Sequence, residues 1–315
     1  MTGLGLPPSK TQATGIYGSI TEGAHRMAAD QGPVVSSALL RSQLVRLRKD
    51  RGLTQEQVAS RLEWSPSKLI RVEGGRSSIT KVDLDALLTV YGVSSESHRE
   101  RLAALNRGAR DHGWWEAYRN DIDATYLNYV GYEAGAAFIR QFPGGVVPGL
   151  LQTREYAEVL TEKTIDPPLA EQVVKLRLQR QSELMRRSVP PRQYYVLDEA
   201  VIRRRIGIRK DPAIMPDQLR HIAERAERDE LVTIRVIPFT VGAHAGLGGP
   251  FTLLEFDGDL PDILYRDAGR DAISMVVGND PQIVEHADKF EALLEDALPA
   301  DQSIEFIRSA AEDIS

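Results

Sequence analysis

Two helix starts separated by a short turn lie within residues 53–76, and this segment constrains the fold more than any other. After Leu53, the side chains of Thr54 and Gln57 are spaced to satisfy each other's free backbone donors, which is a capping box. Further on, Ser65 is a preferred N-cap, and Pro66 fits the first helical position, where no N–H is needed. The segment therefore predicts two short helices joined by a three-residue turn.

Apolar residues at helical spacing continue this pattern on both sides. Leu40 and Leu44 lie on the inner face of a preceding helix, Thr80 caps a fourth helix, and residues 96–110 form a fifth. Five short helices in about seventy residues predict an all-α domain over residues 37–110.

Charge is distributed unevenly along the chain. The net charge is −6, yet residues 37–110 carry 14 Lys and Arg against 8 Asp and Glu, and residues 175–210 carry 11 against 3. Residues 211–315 reverse this balance, with 8 basic against 22 acidic side chains. A compact basic segment in an acidic protein suits a polyanion. Three roles are open for the second basic run: it extends such a footprint, it receives an acidic partner, or it pairs with the acidic segment. We favour the last, within one chain or between the two chains of a dimer.

Composition excludes several classes of protein. The chain has no cysteine, which excludes disulfides, thiolate zinc sites, iron–sulfur clusters and cysteine nucleophiles. It has no apolar run long enough for a membrane span, and residues 1–30 lack the apolar centre of a signal peptide. We therefore expect a cytoplasmic protein without membrane contact. Residues 1–36, rich in Gly, Ser, Thr and Pro, are expected to form a flexible arm.

Residues 53–76 resemble the helix-turn-helix of the lambda repressor, Cro and xenobiotic-response-element family of regulators. Ala59 is small where the two helices cross, and Leu69 and Val72 lie on the apolar underside. The resemblance implies a five-helix, lambda-repressor-like domain whose recognition helix, Ser65–Glu73, enters the major groove of double-stranded DNA. Members of this family commonly bind as homodimers, so that two recognition helices read an inverted repeat.

The same resemblance implies roles for individual side chains. Base edges are expected to meet Pro66, Ser67, Ile70 and Arg71, with Arg71 bidentate to guanine and Ile70 beside a thymine methyl. Phosphates are expected to meet Thr54, Gln55, Ser65, Lys68 and Arg76. Two positions depart from the family pattern: Glu63 replaces the usual turn glycine, and Ile70 stands where a polar residue is common.

The remainder of the chain predicts an α+β domain over residues 133–315. Strands are predicted at residues 194–197, 232–237, 251–256, 263–265 and 274–277. Helices are predicted near residues 153–163, 168–187, 199–205, 216–229, 281–297 and 301–312. Residues 111–132 are assigned to a linker or dimer-contact segment, although most of its aromatic side chains are expected in the core.

The C-terminal region resembles the uncharacterised domain that is fused to many actinobacterial regulators of this type, including WhiJ-like regulators of Streptomyces. The resemblance is carried by residues 147–153, 156–157, 177–181 and 198–200. It implies a regulator with a small partner protein encoded nearby and roles in development or toxin–antitoxin-like control. We expect this domain to sense a small-molecule effector or that partner. Candidate contacts for the ligand or partner are Gln152, Arg180, Gln181 and His244.

Sequence signals for catalysis are weak. Residues 242–250 are glycine-rich, but a strand follows them, so a connection between two strands is favoured over a phosphate cradle. The six histidines lack metal-ligand spacing, and Asp198 and Glu199 point different ways on a helix or a strand. We expect no metal, cofactor or catalytic residue. The rival hypotheses are an enzyme docked by its helical domain, with catalysis near residues 242–250, and a protein-interaction adaptor of a toxin–antitoxin-like pair.

Overall fold

The computed structural model describes residues 32–267 and 273–314. Its N-terminal part is a bundle of five helices, which confirms that prediction: α1 (Gly32–Asp50), α2 (Gln55–Arg61), α3 (Pro66–Glu73), α4 (Lys81–Val90) and α5 (Glu96–Gly108). The first helix begins earlier than predicted, so the assignment of residues 32–36 to a flexible arm was wrong. Val35 and Ser36 are each only 1% exposed, because the bundle covers them in a way that their local sequence does not show. Residues 1–31 of the predicted arm lie outside the described residues.

Helix caps and buried leucines hold this bundle together. The hydroxyls of Thr54, Thr80 and Ser95 each accept a hydrogen bond from a backbone N–H in the first turn of the helix that follows. Leucines from α3, α4 and α5 meet in the centre, where their side chains are fully buried: Leu69, Leu84, Leu87, Leu88 and Leu102.

Residues 111–132 are part of the folded core. They contain a 3₁₀ helix (Trp114–Tyr118) and most of a helix that the sequence did not predict, α6 (Ala124–Glu133). Asp123 caps α6 by accepting from the N–H groups of the next turn. The side chains of Trp115, Tyr129 and Tyr132 are buried, as expected for most aromatics of this segment. The segment is therefore no linker between two separate cores, because these side chains pack within the chain.

The C-terminal part contains a six-stranded mixed sheet and helices, which confirms the α+β prediction. The strands are β1 (Phe138–Phe142), β2 (Arg192–Asp198), β3 (Val232–Ile237), β4 (Phe251–Glu255), β5 (Ile263–Asp267) and β6 (Ile273–Val277). The helices are α7 (Arg154–Thr164), α8 (Pro167–Arg186), α9 (Glu199–Arg203), α10 (Ile214–Arg228), α11 (Pro281–Asp296) and α12 (Ala300–Asp313). Strand order is β3-β2-β1-β4-β5-β6, with β1, β2 and β3 parallel and the other neighbours antiparallel.

Helices cover both faces of this sheet. Helix α11 packs on one face around Phe290, and α6, α10 and α12 lie on the side where the larger apolar core continues. That larger core runs without interruption from the leucines of the N-terminal bundle into the sheet. Helix α1 packs against α6, so the N-terminal bundle and the C-terminal part share a helix–helix contact. A displacement of α1 at this contact would therefore change the packing of both parts.

Candidate nucleic-acid interface

Helix α3 is held by one face and exposed on the other. Leu69 and Val72 are buried beneath it, whereas Ile70 is 48% exposed and Ser67 and Arg71 are exposed beside it. This division follows from the helical spacing, since residues three and four apart share a face. The result is a short, anchored helix that presents one apolar and two polar side chains to its surroundings.

A buried carboxylate locks the end of α3 to the two helices before it. The Arg48 guanidinium forms a two-pronged ion pair with Glu73, with distances of 2.7 Å from Nε to Oε1 and 2.9 Å from Nη2 to Oε2. The Gln55 side chain donates to the same carboxylate at 2.7 Å. The side chain of Glu73 is only 4% exposed and that of Arg48 13%. Because two hydrogen bonds fix the relative orientation of guanidinium and carboxylate, this cluster sets the angle of α3 in the bundle.

The sequence did not predict this cluster. Glu73 is recognisable as the end of the helix, and Arg48 lies off the apolar stripe of α1, but 25 residues separate the two. No local spacing rule connects positions so far apart, and we find no sequence signal that would have paired them.

The turn between α2 and α3 has a left-handed residue. Glu63 has a φ of 55°, which a glycine adopts without steric cost and which other residues rarely adopt. The unusual glutamate noted in the sequence thus occupies the position where the turn needs a glycine-like backbone. The next residue, Trp64, lies under the Lys68 ammonium, which is 3.9 Å from the ring centroid.

All four predicted base-contacting residues lie in the first half or on the outer face of α3. Pro66, Ser67, Ile70 and Arg71 are exposed. Within residues 32–267 and 273–314, the Arg71 guanidinium has no hydrogen bond or ion pair to another side chain or to the backbone. Arg71 is thus available for a contact outside the chain.

The five predicted phosphate contacts fall into two groups. The Thr54 hydroxyl accepts from the backbone N–H of Gln57 in the predicted capping box, and Gln55 is bound to Glu73. Lys68 forms an ion pair with Asp83 at 2.9 Å. Partial burial opposes ionisation of Asp83, but hydrogen bonds from Lys68 and Thr80 outweigh it and lower the pKa of Asp83. The side chains of these three predicted contacts are therefore engaged in holding the bundle.

The other two predicted phosphate contacts remain accessible. The Ser65 hydroxyl lies 3.1 Å from that of Ser67, and it does not cap α3 as the sequence suggested. Arg76 is exposed just beyond the end of α3. Ser65 and Arg76 thus border α3 at its two ends.

Each predicted ligand contact of the C-terminal part has a partner within the chain, beginning with the two glutamines. The Gln181 side chain donates to the carbonyl oxygens of Gly149 and Gln152, both at 2.9 Å. The Gln152 side chain donates to the Val147 carbonyl oxygen at 2.8 Å. Both amides satisfy buried backbone acceptors of the loop before α7, so their role is to hold that loop.

Arg180 is likewise a structural residue. It is buried and forms a two-pronged ion pair with Glu133, at 2.6 and 2.8 Å, and it also donates to the Tyr126 hydroxyl at 2.5 Å. Burial favours the neutral form of Arg180, but the Glu133 carboxylate outweighs it and raises the pKa of Arg180. This ion pair joins α6 to α8.

His244 holds the connection between β3 and β4. Its Nδ1 accepts from the Gly246 N–H at 3.2 Å, so Nε2 carries the proton and donates to Asp198 at 2.9 Å. The His244 side chain is only 3% exposed. Both ring nitrogens are thus occupied within the chain, and His244 anchors this connection.

The adjacent carboxylates Asp198 and Glu199 point different ways, as predicted. Asp198 bonds His244 and also caps α9. Glu199 accepts from the backbone N–H of Phe239 at 2.7 Å and pairs with Arg203 at 3.0 Å. Neither carboxylate is placed as an acid–base pair around a common point.

The second basic run forms ion pairs within the chain, but of those named here only Arg203 with Asp313 joins it to the acidic segment 211–315, which is the pairing that the sequence favoured. Its ion pairs include Arg186 with Glu183, Arg203 with Glu199 and Asp313, and Lys210 with Glu162. Among the described residues, no helix is long and apolar enough to cross a membrane. The same residues contain no cluster of three or more histidine or carboxylate side chains suited to a metal ion.

Comparisons with known protein families match two regions of the chain. Residues 39–102 match a family described as a helix-turn-helix domain. Residues 126–309, which are more than half of the chain, match a family described as a domain of unknown function (DUF5753). Comparisons with curated proteins and with solved structures found no match.

Proposed function

The chain belongs to the family of the domain of unknown function DUF5753 and carries a helix-turn-helix domain ahead of it, and we propose that it is a sequence-specific transcriptional regulator. It binds double-stranded DNA as a homodimer that reads an inverted repeat through α3. A signal received by the C-terminal domain controls its DNA affinity. It acts in the cytoplasm on the DNA of its cell.

The observation that carries this proposal is the outer face of α3. Ile70 is 48% exposed, and Arg71 has no partner among the described residues, although the helix itself is anchored by Glu73 and buried leucine. A rigid helix with an unpartnered arginine and an exposed apolar side chain suits base edges in a major groove, where arginine binds guanine and apolar atoms meet a thymine methyl. Pro66 and Ser67 complete the proposed reading surface.

Backbone contacts are proposed for the accessible residues at the two ends of α3. Ser65 and Arg76 are the proposed phosphate contacts, together with the N-terminus of α2 at Gln55. Lys68 is removed from this set, because Asp83 competes with a phosphate for its ammonium.

A dimer is proposed because one short helix offers few base contacts. Two recognition helices in successive major grooves double the contacts and select half-sites about 10 bp apart. Control by a signal requires that the signal bind two conformations unequally.

Sequencing of bound genomic DNA tests this function. The purified protein is incubated with sheared genomic DNA of its source at near-physiological salt, and the retained fragments are sequenced. We expect a shared inverted repeat with half-sites roughly one helical turn apart. Retention of no common sequence, or of a single half-site, contradicts the proposed mode of binding.

Substitutions on the recovered fragment then test the contacts. Arg71→Ala should weaken binding by about 1–3 kcal/mol and relax the preference at one base position. Arg76→Ala should weaken binding to all sequences alike and lower the salt dependence. Arg228→Ala, which removes an exposed arginine of α10, is the matched control and should bind like the wild type. If the Arg71→Ala variant binds the fragment with unchanged affinity and unchanged base preference, the proposed base contact is wrong.

A further inference from the structure

The two edges of the six-stranded sheet differ in how they are covered. At the β3 edge, the Val236 N–H donates to the Ser303 hydroxyl at 3.0 Å, and the Val236 carbonyl oxygen accepts from the Leu298 N–H at 2.9 Å. The Arg235 guanidinium donates to the Leu298 carbonyl oxygen at 2.7 Å. The segment that leads into α12, together with the first turn of that helix, therefore closes this edge.

Strand β6 forms the opposite edge, and nothing in the described part of the chain covers it. Its backbone hydrogen-bonds only to β5 within residues 32–267 and 273–314. An antiparallel strand bonds each neighbour through alternate residues, so part of the N–H and carbonyl groups of β6 point away from the sheet. Such an edge is a template on which another strand can pair.

The side chains of β6 do not protect this edge. Edge strands of monomeric proteins usually carry a lysine, another inward-pointing charge or a proline that prevents pairing with another chain. Strand β6 has the sequence ISMVV, with no charged residue and no proline. Val277 is 44% exposed, and Met275 and Val276 are half-buried. The edge is therefore suited to pairing rather than guarded against it.

A groove of about 510 Å³ lies between β6 and the DNA-binding bundle. Met275 and Val277 line it from β6, and Arg41 lines it from α1. Gly75, the second residue after α3, also lines the groove, and a Cβ atom there would overlap the Arg41 guanidinium. The edge of the sheet and the end of the recognition helix thus border the same groove.

The groove carries charges of both signs that are not paired with each other. The Arg41 guanidinium donates to the carbonyl oxygens of Ser37 and Gly74. Asp111 and Glu116 line the same groove. Among the described residues, none of these three charged side chains has an ion pair. A surface with both signs beside an apolar strand is complementary to a second copy of itself, because a two-fold axis can bring the positive group of one copy to the negative groups of the other.

We propose that β6 pairs with β6 of a second copy of this chain, antiparallel across a two-fold axis, so that the two sheets become one continuous sheet. Directly opposed residues of an antiparallel pair have side chains on the same face, and faces alternate along a strand. One residue of β6 therefore faces its own counterpart on the axis. This inference rests on the proposed function, since it names the surface through which the proposed homodimer forms.

The position of this surface suits the reading of an inverted repeat. Because Gly75 and Val277 line one groove, an axis at β6 places the ends of both recognition helices near that axis. Two recognition helices related in this way can enter successive major grooves of one DNA duplex.

Single cysteines locate the axis, since the chain has no cysteine of its own. Each of the five residues of β6 is replaced singly by cysteine, and the folded protein is oxidised mildly. Every disulfide that forms must then join two copies. The control is Val284→Cys, at an exposed valine of α11.

One position of β6 should cross-link at least about tenfold faster than Val284→Cys, because only the residue on the axis brings two Cα atoms within reach of a disulfide. Non-reducing gels measure the rates. Cross-linking of all five positions at the rate of the control overturns the pairing.

A charge on the edge tests the same surface without cross-linking. Val277→Lys adds a charge that an incoming strand would have to desolvate, and it should raise the dissociation constant of the dimer at least about tenfold. Val277→Glu should act alike, and Val284→Lys, the matched control, should dimerise like the wild type. Sedimentation velocity of the full chain measures the dimer, and unfolding curves identify any variant that does not fold. Unchanged dimerisation of both folded Val277 variants overturns the proposal.

Hydrogen exchange shows what covers the edge. Amides of β6 should exchange faster in Val277→Lys than in the wild type, whereas those of β3, whose edge is closed within the chain, should not change. A monomeric wild type overturns the proposal, and slow exchange of β6 in that monomer would show that the same chain covers its own edge.

Binding to the recovered genomic fragment distinguishes this inference from the proposed function. Val277→Lys should bind the inverted repeat at least about tenfold more weakly than the wild type, because its two half-sites are then filled separately. If β6 cross-links but no common DNA sequence is retained, the proposed function fails and the dimer surface stands. If an inverted repeat is recovered and Val277→Lys binds it like the wild type, the proposed function stands and the dimer forms elsewhere.

Discussion

Single residues decide how the recognition helix is presented. Arg48 and Glu73 set the orientation of α3, while Arg71 is left without a partner among the described residues. Among the described residues, Glu63 is the only non-glycine residue with a left-handed backbone, and it lies in the turn just before α3. The sequence identified this glutamate as unusual, and the φ of 55° gives the physical reason why glycine is common there.

Glu63→Gly should stabilise the protein. A left-handed backbone costs a non-glycine residue about 1–2 kcal/mol, which glycine does not pay. Glycine is also more flexible in the unfolded chain, and this reduces the gain in stability by about 0.5–1 kcal/mol. We expect a net gain of about 0.5–1 kcal/mol in the free energy of unfolding, measured by urea denaturation. The matched control is Glu56→Gly in α2, where the helical backbone gains nothing and a loss of about 1 kcal/mol is expected. A less stable Glu63→Gly variant would contradict the strain at this turn.

Whole elements were predictable where their signals are local. Capping residues and apolar spacing found the five helices of the bundle and five of the six strands. Strand β1 was missed because its sequence places Arg140 and Gln141 in the middle of a central strand. The buried Arg140 is matched by Glu255 and Glu291, each at 2.7 Å, and both are more than a hundred residues away. Helix α6 was also missed: its segment was assigned to a linker or dimer contact, although most of its aromatic side chains were expected in the core.

The close approach of α1 and α6 gives a prediction for these elements. A Cβ atom at Gly131 would lie 2.5 Å from Cγ2 of Val34. Alanine normally stabilises a helix interior by about 1 kcal/mol relative to glycine, but overpacking costs about 1–3 kcal/mol. We expect Gly131→Ala to lower the free energy of unfolding by about 1–2 kcal/mol net. Adding Val34→Ala should recover most of this loss, and a stabilised Gly131→Ala variant would show that the helices are not in tight contact.

At the scale of the whole molecule, the bundle and the sheet form a connected structure. One apolar core runs through both, and Asp259 accepts from Gln43 at 2.7 Å and pairs with Arg46 at 3.2 Å across the boundary. This ion pair is more than half exposed at both ends, so the apolar contact of α1 and α6 contributes more to the junction than the charges do.

Stability should depend on pH through histidines in both parts of the molecule. Burial lowers the pKa of His98 in α5, His221 in α10 and His286 in α11, and nearby basic side chains add to this effect. The unfolded chain therefore binds more protons than the folded one as the pH falls below about 6.5, and stability is lost in that direction. These histidines leave stability constant from about pH 7 up to the alkaline range in which tyrosines ionise.

Urea denaturation between pH 5 and 8 measures this dependence, since the carboxylates with lowered pKa, such as Asp83, titrate below that range. A variant with glutamine at all three histidine positions should show a flatter profile. A wild-type stability that rises as the pH falls from 7 to 5 would contradict the predicted sign.

Local sequence determined the helix-turn-helix, the side-chain cap at Thr54, most strands and the exposed face of α3, because these depend on neighbours within a turn or on strict alternation. Tertiary structure alone decided which polar residues are free. Gln152, Gln181, Arg180 and His244 looked available in the sequence, and each is bound to a group brought near by folding. The groove beside β6 also exists only in the folded chain. Contacts between distant positions obey no sequence period, so their partners become visible only when the chain has packed.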